Sequence, residues 1–214
     1  MSFRCITVAA ATLFACGAAR ADTIVTSPAS FFAAVTDGVE TTSFGLPYGS
    51  TTSSVTLADG NVLNTTGDEV TASGVDYAPF TNGYGGDILV TNGTSETITF
   101  SQAITALGFL VSPDVGLTLG GLYPSAATFT ITLSNGQTTQ LTGSYGTGDV
   151  SYLGFYGPGD ITSMTISVSG TNALDGAPIA DFAFGDFTSV PEPASFALLA
   201  GGLLAIAALR RRTA

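Results

Sequence analysis

Thr128-Phe129-Thr130-Ile131-Thr132-Leu133-Ser134-Asn135-Gly136-Gln137-Thr138-Thr139-Gln140-Leu141 is the stretch that decides the fold. On the first arm apolar residues alternate with threonine, which is the period of a half-buried strand and not of a helix. Asn135-Gly136 is a strong hairpin signal, because it accepts the left-handed backbone of a two-residue type I′ turn. The second arm, 137–141, then returns antiparallel to the first.

The same period runs outward in both directions. Downstream come segments 151–156, 161–168, with Met164, Ile166 and Val168 inward, and 179–187. Upstream, Thr97-Ile98-Thr99-Phe100 alternates, and 103–111 reads as a more buried strand that ends at Pro113. Residues 54–57 and 62–63 flank Asp59-Gly60, a second type I′ signal. One helix is expected near the start: Ser27 caps it, Pro28 takes its first position, and Phe31, Phe32 and Val35 share a face before Asp37-Gly38 ends it. Roughly ten short strands without alternating helices predict an all-β fold, an antiparallel β-sandwich with a short N-terminal helix.

Composition narrows the chemistry. All five basic residues (Arg4, Arg20, Arg210, Arg211 and Arg212) lie near the two ends, and the chain has no Lys or His. Residues 22–190 therefore carry no cationic side chain, yet they hold fifteen of the sixteen acidic residues. Both cysteines, Cys5 and Cys16, also fall outside that stretch, so neither ion pairs between side chains nor disulfides hold it. Stability must come from apolar burial and β hydrogen bonding, with Thr and Ser at the outward positions. Nucleic acid is excluded as a partner, since binding it requires cationic contacts to phosphate. At about 165 residues this is one domain, long enough to bury about 70% of the unfolded chain's surface.

The ends read as targeting segments. Arg4, the apolar run 5–15 and Ala19-Arg20-Ala21 form a signal peptide with cleavage after Ala21. A lipoprotein signal at Cys16 is the rival, but Phe14 is bulky where that motif has a small residue. At the other end Val190-Pro191-Glu192-Pro193 is followed by the apolar run 194–209, read as a hydrophobic helix, and by Arg210, Arg211 and Arg212. Sixteen residues of helix reach about 24 Å, short of the roughly 30 Å hydrocarbon core, and Gly201-Gly202 weakens the helix further. The arginines resist translocation and act as a basic stop. This order closely resembles the PEP-CTERM tripartite sorting signal of Gram-negative bacteria. The resemblance implies that Pro191, Glu192 and Pro193 are recognised by an exosortase, a membrane enzyme resembling cysteine proteases, and that the tail is inserted in the membrane only until it is removed. It also implies export to the cell surface or extracellular space and an association with exopolysaccharide. The expected organisation is a signal peptide at 1–21, an acidic β-sandwich at 22–188 and the sorting signal at 189–214.

Without His, Cys, Lys or Arg, nucleophilic triads, thiolates and Schiff bases are ruled out in the domain. Only a two-carboxylate glycosidase mechanism survives, with Glu40, Glu69 and Glu96 as candidate members. The expectation is a non-enzymatic protein that requires no cofactor. Bound calcium would relieve the repulsion among the carboxylates, since hard cations take carboxylate and carbonyl oxygens. Residues 82–90 resemble a single RTX-type calcium nonapeptide and nominate Asp87, while Asp181 and Asp186 are further metal candidates near the last strand. The segments around Phe109, Leu153, Phe155, 161–168 and Phe182 also resemble jelly-roll modules common among PEP-CTERM proteins, which are related in shape to carbohydrate-binding modules. A lectin-like carbohydrate-binding function, calcium-stabilised, is the alternative. Its candidate sugar-stacking rings are Tyr145, Tyr152, Phe155 and Tyr156, with a second group at Tyr77, Phe80 and Tyr84.

Overall fold

The computed structural model describes residues 22–47, 49–73, 87–91, 93–113, 125–145, 150–172 and 176–191. Within them the order is β1 (Thr23–Val25), α1 (Pro28–Ala34), β2 (Val39–Thr41), β3 (Thr51–Thr56), β4 (Val62–Ser73), β5 (Asp87–Val90), β6 (Ser95–Pro113), β7 (Ser125–Leu133), β8 (Thr138–Tyr145), β9 (Ser151–Asn172) and β10 (Phe182–Pro191). The expected all-β class with one short helix is observed. The signal peptide, Ala21, and the C-terminal helix and basic stop lie outside the described residues. No helix among those described is long and apolar enough to cross a membrane.

Every strand joins one hydrogen-bonded sheet, with pairs running antiparallel and the order β2-β10-β5-β4-β6-β9-β7-β8. β1 adds to β9, β3 adds to β4, and β10 also pairs β6, which closes β4, β5, β10 and β6 into a barrel-like ring. The two halves of the sheet fold over a shared core. Phe129 of β7 meets Phe182 of β10 edge to face at 5.9 Å, although those strands are not hydrogen-bonded neighbours.

The halves are joined by two long strands that the sequence pattern divides in two. In β9 the segments 151–156 and 161–168 are continuous, and so are 97–100 and 103–111 in β6. Both strands bulge at the same place: β6 pairs β9 at Thr99↔Ser163, next at Ile104↔Ile161, then at Ala106↔Tyr156. Gly157-Pro158-Gly159 supplies the β9 bulge, and glycine and proline within a strand mark such bends. On β6 the freed polar groups are taken up by buried Asn61, which donates to the Gln102 carbonyl (2.9 Å) and accepts from Gln102 N–H (3.1 Å) and Ser101 Oγ (2.9 Å).

The hairpins stand where Asp-Gly and Asn-Gly predict them, but neither is a two-residue type I′ turn. Gly136 N–H bonds to Leu133 O and Leu133 N–H to Gln137 O, at 2.9 and 2.8 Å, and Gly60 and Leu57 repeat the pattern with Asn61. Only the glycines are left-handed, at φ 85° and 84°. These are three-residue loops closed by a glycine bulge. The side chains explain the choice. Asn135 and Asp59 each accept the N–H two residues on (2.9 and 2.8 Å), an Asx turn that needs no positive φ at the Asn or Asp.

In α1, Ser27 makes no side-chain cap although Pro28 opens the helix as expected. Phe31 is buried, but Phe32 is 48% exposed and does not share its face. Outward threonines and serines pair hydroxyl to hydroxyl across strands, as at Thr97–Thr165 and Ser95–Ser167, both 2.9 Å. Replacing Phe129 with Ala should cost about 3–5 kcal/mol in urea denaturation. The Phe32→Ala change should stay within about 0.5 kcal/mol. Similar costs for the two would contradict this assignment of the core.

Candidate functional site

β10 places the chemistry, and its phase is set by Asp186. Phe182 and Phe184 point into the core, and simple alternation would send residue 186 there too. Instead β10 bulges between Gly185 and Thr188 against β6, and Asp186 takes φ 53°. Aspartate tolerates this left-handed conformation better than most residues. The extra residue returns Phe187 to the core, 6.0 Å from Phe184, and leaves Asp186 half-buried on the other side. Burial, and then the Glu40 charge, raise its carboxyl above the ordinary aspartate range.

On that outer face α1 lays Phe31 over the paired glycines Gly108 and Gly154. A Cβ on Gly154 would come within 2.5 Å of the Phe31 ring, so the helix docks only because that side chain is missing. Tyr152 packs edge-on to Phe31 and is 8% exposed. Its hydroxyl is buried without a hydrogen-bond partner among the described residues. Desolvation, with Asp186 adding its charge, pushes the phenol well above its usual range. Tyr152 is thus closed to a sugar, and Phe155 lies in the core. Tyr156 is half-buried and lines a cleft of about 320 Å³ where the end of α1 meets β6, β9 and β10. Val35, Thr36, Asp37, Thr105 and Val190 also line it. Nothing in the local sequence of 36–37 or of Thr105 indicates this meeting. Tyr77, Phe80 and Tyr84 lie outside the described residues.

The metal candidates do not converge. Asp87, in β5, accepts Phe44 N–H (2.7 Å) and Ser43 Oγ (2.9 Å), which ties down the loop after β2. Residues 82–86 of the nonapeptide lie outside the described residues. Asp87 falls on the core-side parity of Leu89, whereas Asp186 faces Tyr152 on the other side. Asp181 is half-buried just before β10. Among the described residues no group of three or more His, Cys, Asp or Glu is placed to hold a metal ion.

Two of the three glutamates do meet. Glu69 and Glu96 reach within 3.2 and 3.1 Å of the point where a Cβ on Gly67 would stand. Both are buried and neither lines the cleft. One Glu96 oxygen accepts Thr66 N–H, Thr66 Oγ1 (2.6 Å) and Gly67 N–H (3.3 Å), so it serves as a brace for β4. Glu40 is apart from them, on β2 beside Asp186. Of the sorting motif, Pro191 is the last residue of β10, opposite Ile104, while Glu192, Pro193, Arg210, Arg211 and Arg212 lie outside the described residues.

Fold and site define an acidic all-β domain whose last strand runs directly into a tail. The family model of the PEP-CTERM protein-sorting motif matches residues 189–212, so the chain carries that signal. Among solved structures, the CBM22-1 xylan-binding domain of Paenibacillus barcinonensis Xyn10C is 12% identical, with 72% of this chain and 94% of that one covered at a TM-score of 0.32. The C-terminal family 22 carbohydrate binding module of Clostridium thermocellum Xyn10B is 13% identical over 61% and 87% at a TM-score of 0.29. No residue correspondence follows at these scores. No curated protein is significantly similar to the chain.

A carboxyl raised on folding binds its proton more tightly in the native state. Its contribution to stability is therefore full at low pH, and it is lost as pH rises from the unfolded value of about 3.9 through the folded one. The Asp186→Asn variant keeps the shape and the left-handed backbone and lacks the charge. It should melt a few degrees above wild type at pH 7, a small gain because water reaches part of the group, and level with it at pH 3. Equal melting at pH 7 would show that ionised Asp186 is not opposed by its surroundings.

Proposed function

We propose that the chain is an exported, non-enzymatic protein of the cell surface or extracellular matrix, sorted through its PEP-CTERM tail. The match at 189–212 carries the reading. In it an exosortase-type enzyme recognises Pro191-Glu192-Pro193 while the apolar segment is held in the membrane, and the acidic domain is then released into surroundings that include exopolysaccharide. Fifteen carboxylates without a cationic side chain suit such a place, since like charge keeps the domain soluble and apart from its copies. Replacing Pro191, Glu192 and Pro193 with Ala should leave unprocessed, membrane-retained protein in the native host. Normal processing and release of that variant would overturn the reading.

A second reading, binding of a neutral glycan, is favoured by Tyr156, which shares the lining of the cleft with Thr36, Thr105 and Asp37. A tyrosine ring offers a stacking face, and Thr and Asp are residue types that can partner sugar hydroxyls. On a glycan array this reading requires a saturable signal that Tyr156→Ala abolishes and Phe32→Ala spares. A blank array leaves the matrix role alone standing.

A further inference from the structure

The sorting motif and the folded domain share residues. Ser189, Val190 and Pro191, the first three of the matched span, are also the last three of β10. Ser189 lies opposite Leu107 of β6, Val190 opposite Ala106 and, after a register shift, Pro191 opposite Ile104. Ser189 is fully buried and its hydroxyl donates to Asp59 at 2.6 Å, so the strand is pinned one residue before Val190. Beyond the pin the hold is weak. The register shift interrupts the ladder, proline has no N–H to give it, and Thr105 Oγ1 reaches Val190 O only at 3.5 Å.

An enzyme that recognises Pro-Glu-Pro binds it extended, because proline fixes its own φ and pushes the preceding residue to extended backbone. Recognition of extended peptides uses main-chain hydrogen bonds along several residues. β6 already holds Val190 and Pro191 in that form, so β6 and the enzyme compete for the same residues. We propose that the end of β10 is a latch. Val190 and Pro191 leave β6 before the processing enzyme engages the motif, and the Ser189–Asp59 bond keeps the opening out of the core. This rests on the reading of residues 189–212 as a processed sorting signal. Opening is local: Phe187 stays packed and the rest of the sheet is intact.

Val190 and Ala106 face each other on the side of the sheet that carries Phe31, the arrangement a cross-strand disulfide requires. Residues 22–190 hold no native cysteine to compete. The full-length chain carrying Val190→Cys and Ala106→Cys should form the bond on export. It should then accumulate unprocessed, at least tenfold slower than either single variant, and mature at the single-variant rate once dithiothreitol is added. A second variant works without the bond: a Gly-Ser spacer inserted between Val190 and Pro191 frees the motif from β6 and should speed processing above wild type. Oxidised double variant processed as fast as the single variants, or a spacer variant no faster than wild type, would overturn the latch while leaving the sorting reading in place. Failure of wild type itself to be processed would overturn both.

Discussion

Everything in this domain follows from fifteen carboxylates placed in a stretch with no Lys, Arg or His to answer them. The fold answers with N–H and O–H donors instead. Asp87 accepts from Phe44 and Ser43, Asp59 from Asn61 N–H and Ser189, and Glu96 from Thr66 and Gly67. Asp22, next to the expected signal cleavage site, is buried and takes Asn135 Nδ2 at 2.7 Å, while Gln137 Nε2 holds its carbonyl at 2.7 Å. Hydrogen bonds to charged groups contribute about 1.5–3 kcal/mol each, so these side chains clamp loops to strands as ion pairs do elsewhere. Apart from the Asx turn at Asp59, each clamp joins segments far apart in sequence, and the Asp59–Ser189 bond spans 130 residues.

The rest of the stability is apolar. Phe109, Phe129, Phe155, Phe182, Phe184 and Phe187 are all buried in one cluster shared by the two halves of the sheet. A second, smaller cluster around Phe31, Ile88, Leu110 and Tyr152 covers the outer face of β5, β6, β9 and β10. This explains why the later half of β6 is apolar on both parities. It is covered twice, as strands of buried sheets are. The bulges in β6, β9 and β10 let three strands serve both clusters and bring Val190, just before the Pro-Glu-Pro motif, against the outer one.

The strands were legible because period-two alternation is local, and it identified the core faces of β7 and β9 correctly, Met164, Ile166 and Val168 included. Turn type was not, because Asp59 and Asn135 chose it through bonds to their own backbone. Gly157-Pro158-Gly159 reads locally as a break and is a bend in one strand, a difference set by pairing with β6. Parity puts Tyr152 and Tyr156 on one face, but only the docking of α1 decides that the first is covered and the second lines a cleft. The tail was the most legible part, since its three elements are contiguous. Its overlap with β10 was hidden, because the pairing of Pro191 with Ile104 is a tertiary fact.

The central claim is that no attraction between opposite side-chain charges holds the domain and that its net electrostatics are repulsive. The direct measurement is the melting temperature of residues 22–191 as NaCl rises from about 0.01 M to about 0.1 M, across which the screening length falls from about 30 Å to about 10 Å. Short-range bonds from N–H and O–H to carboxylate are little affected over that range, while repulsion among the fifteen acids is screened. The account predicts a melting temperature that climbs steadily with salt. A melting temperature that falls would mean that an attractive ion pair holds the fold, and would contradict it.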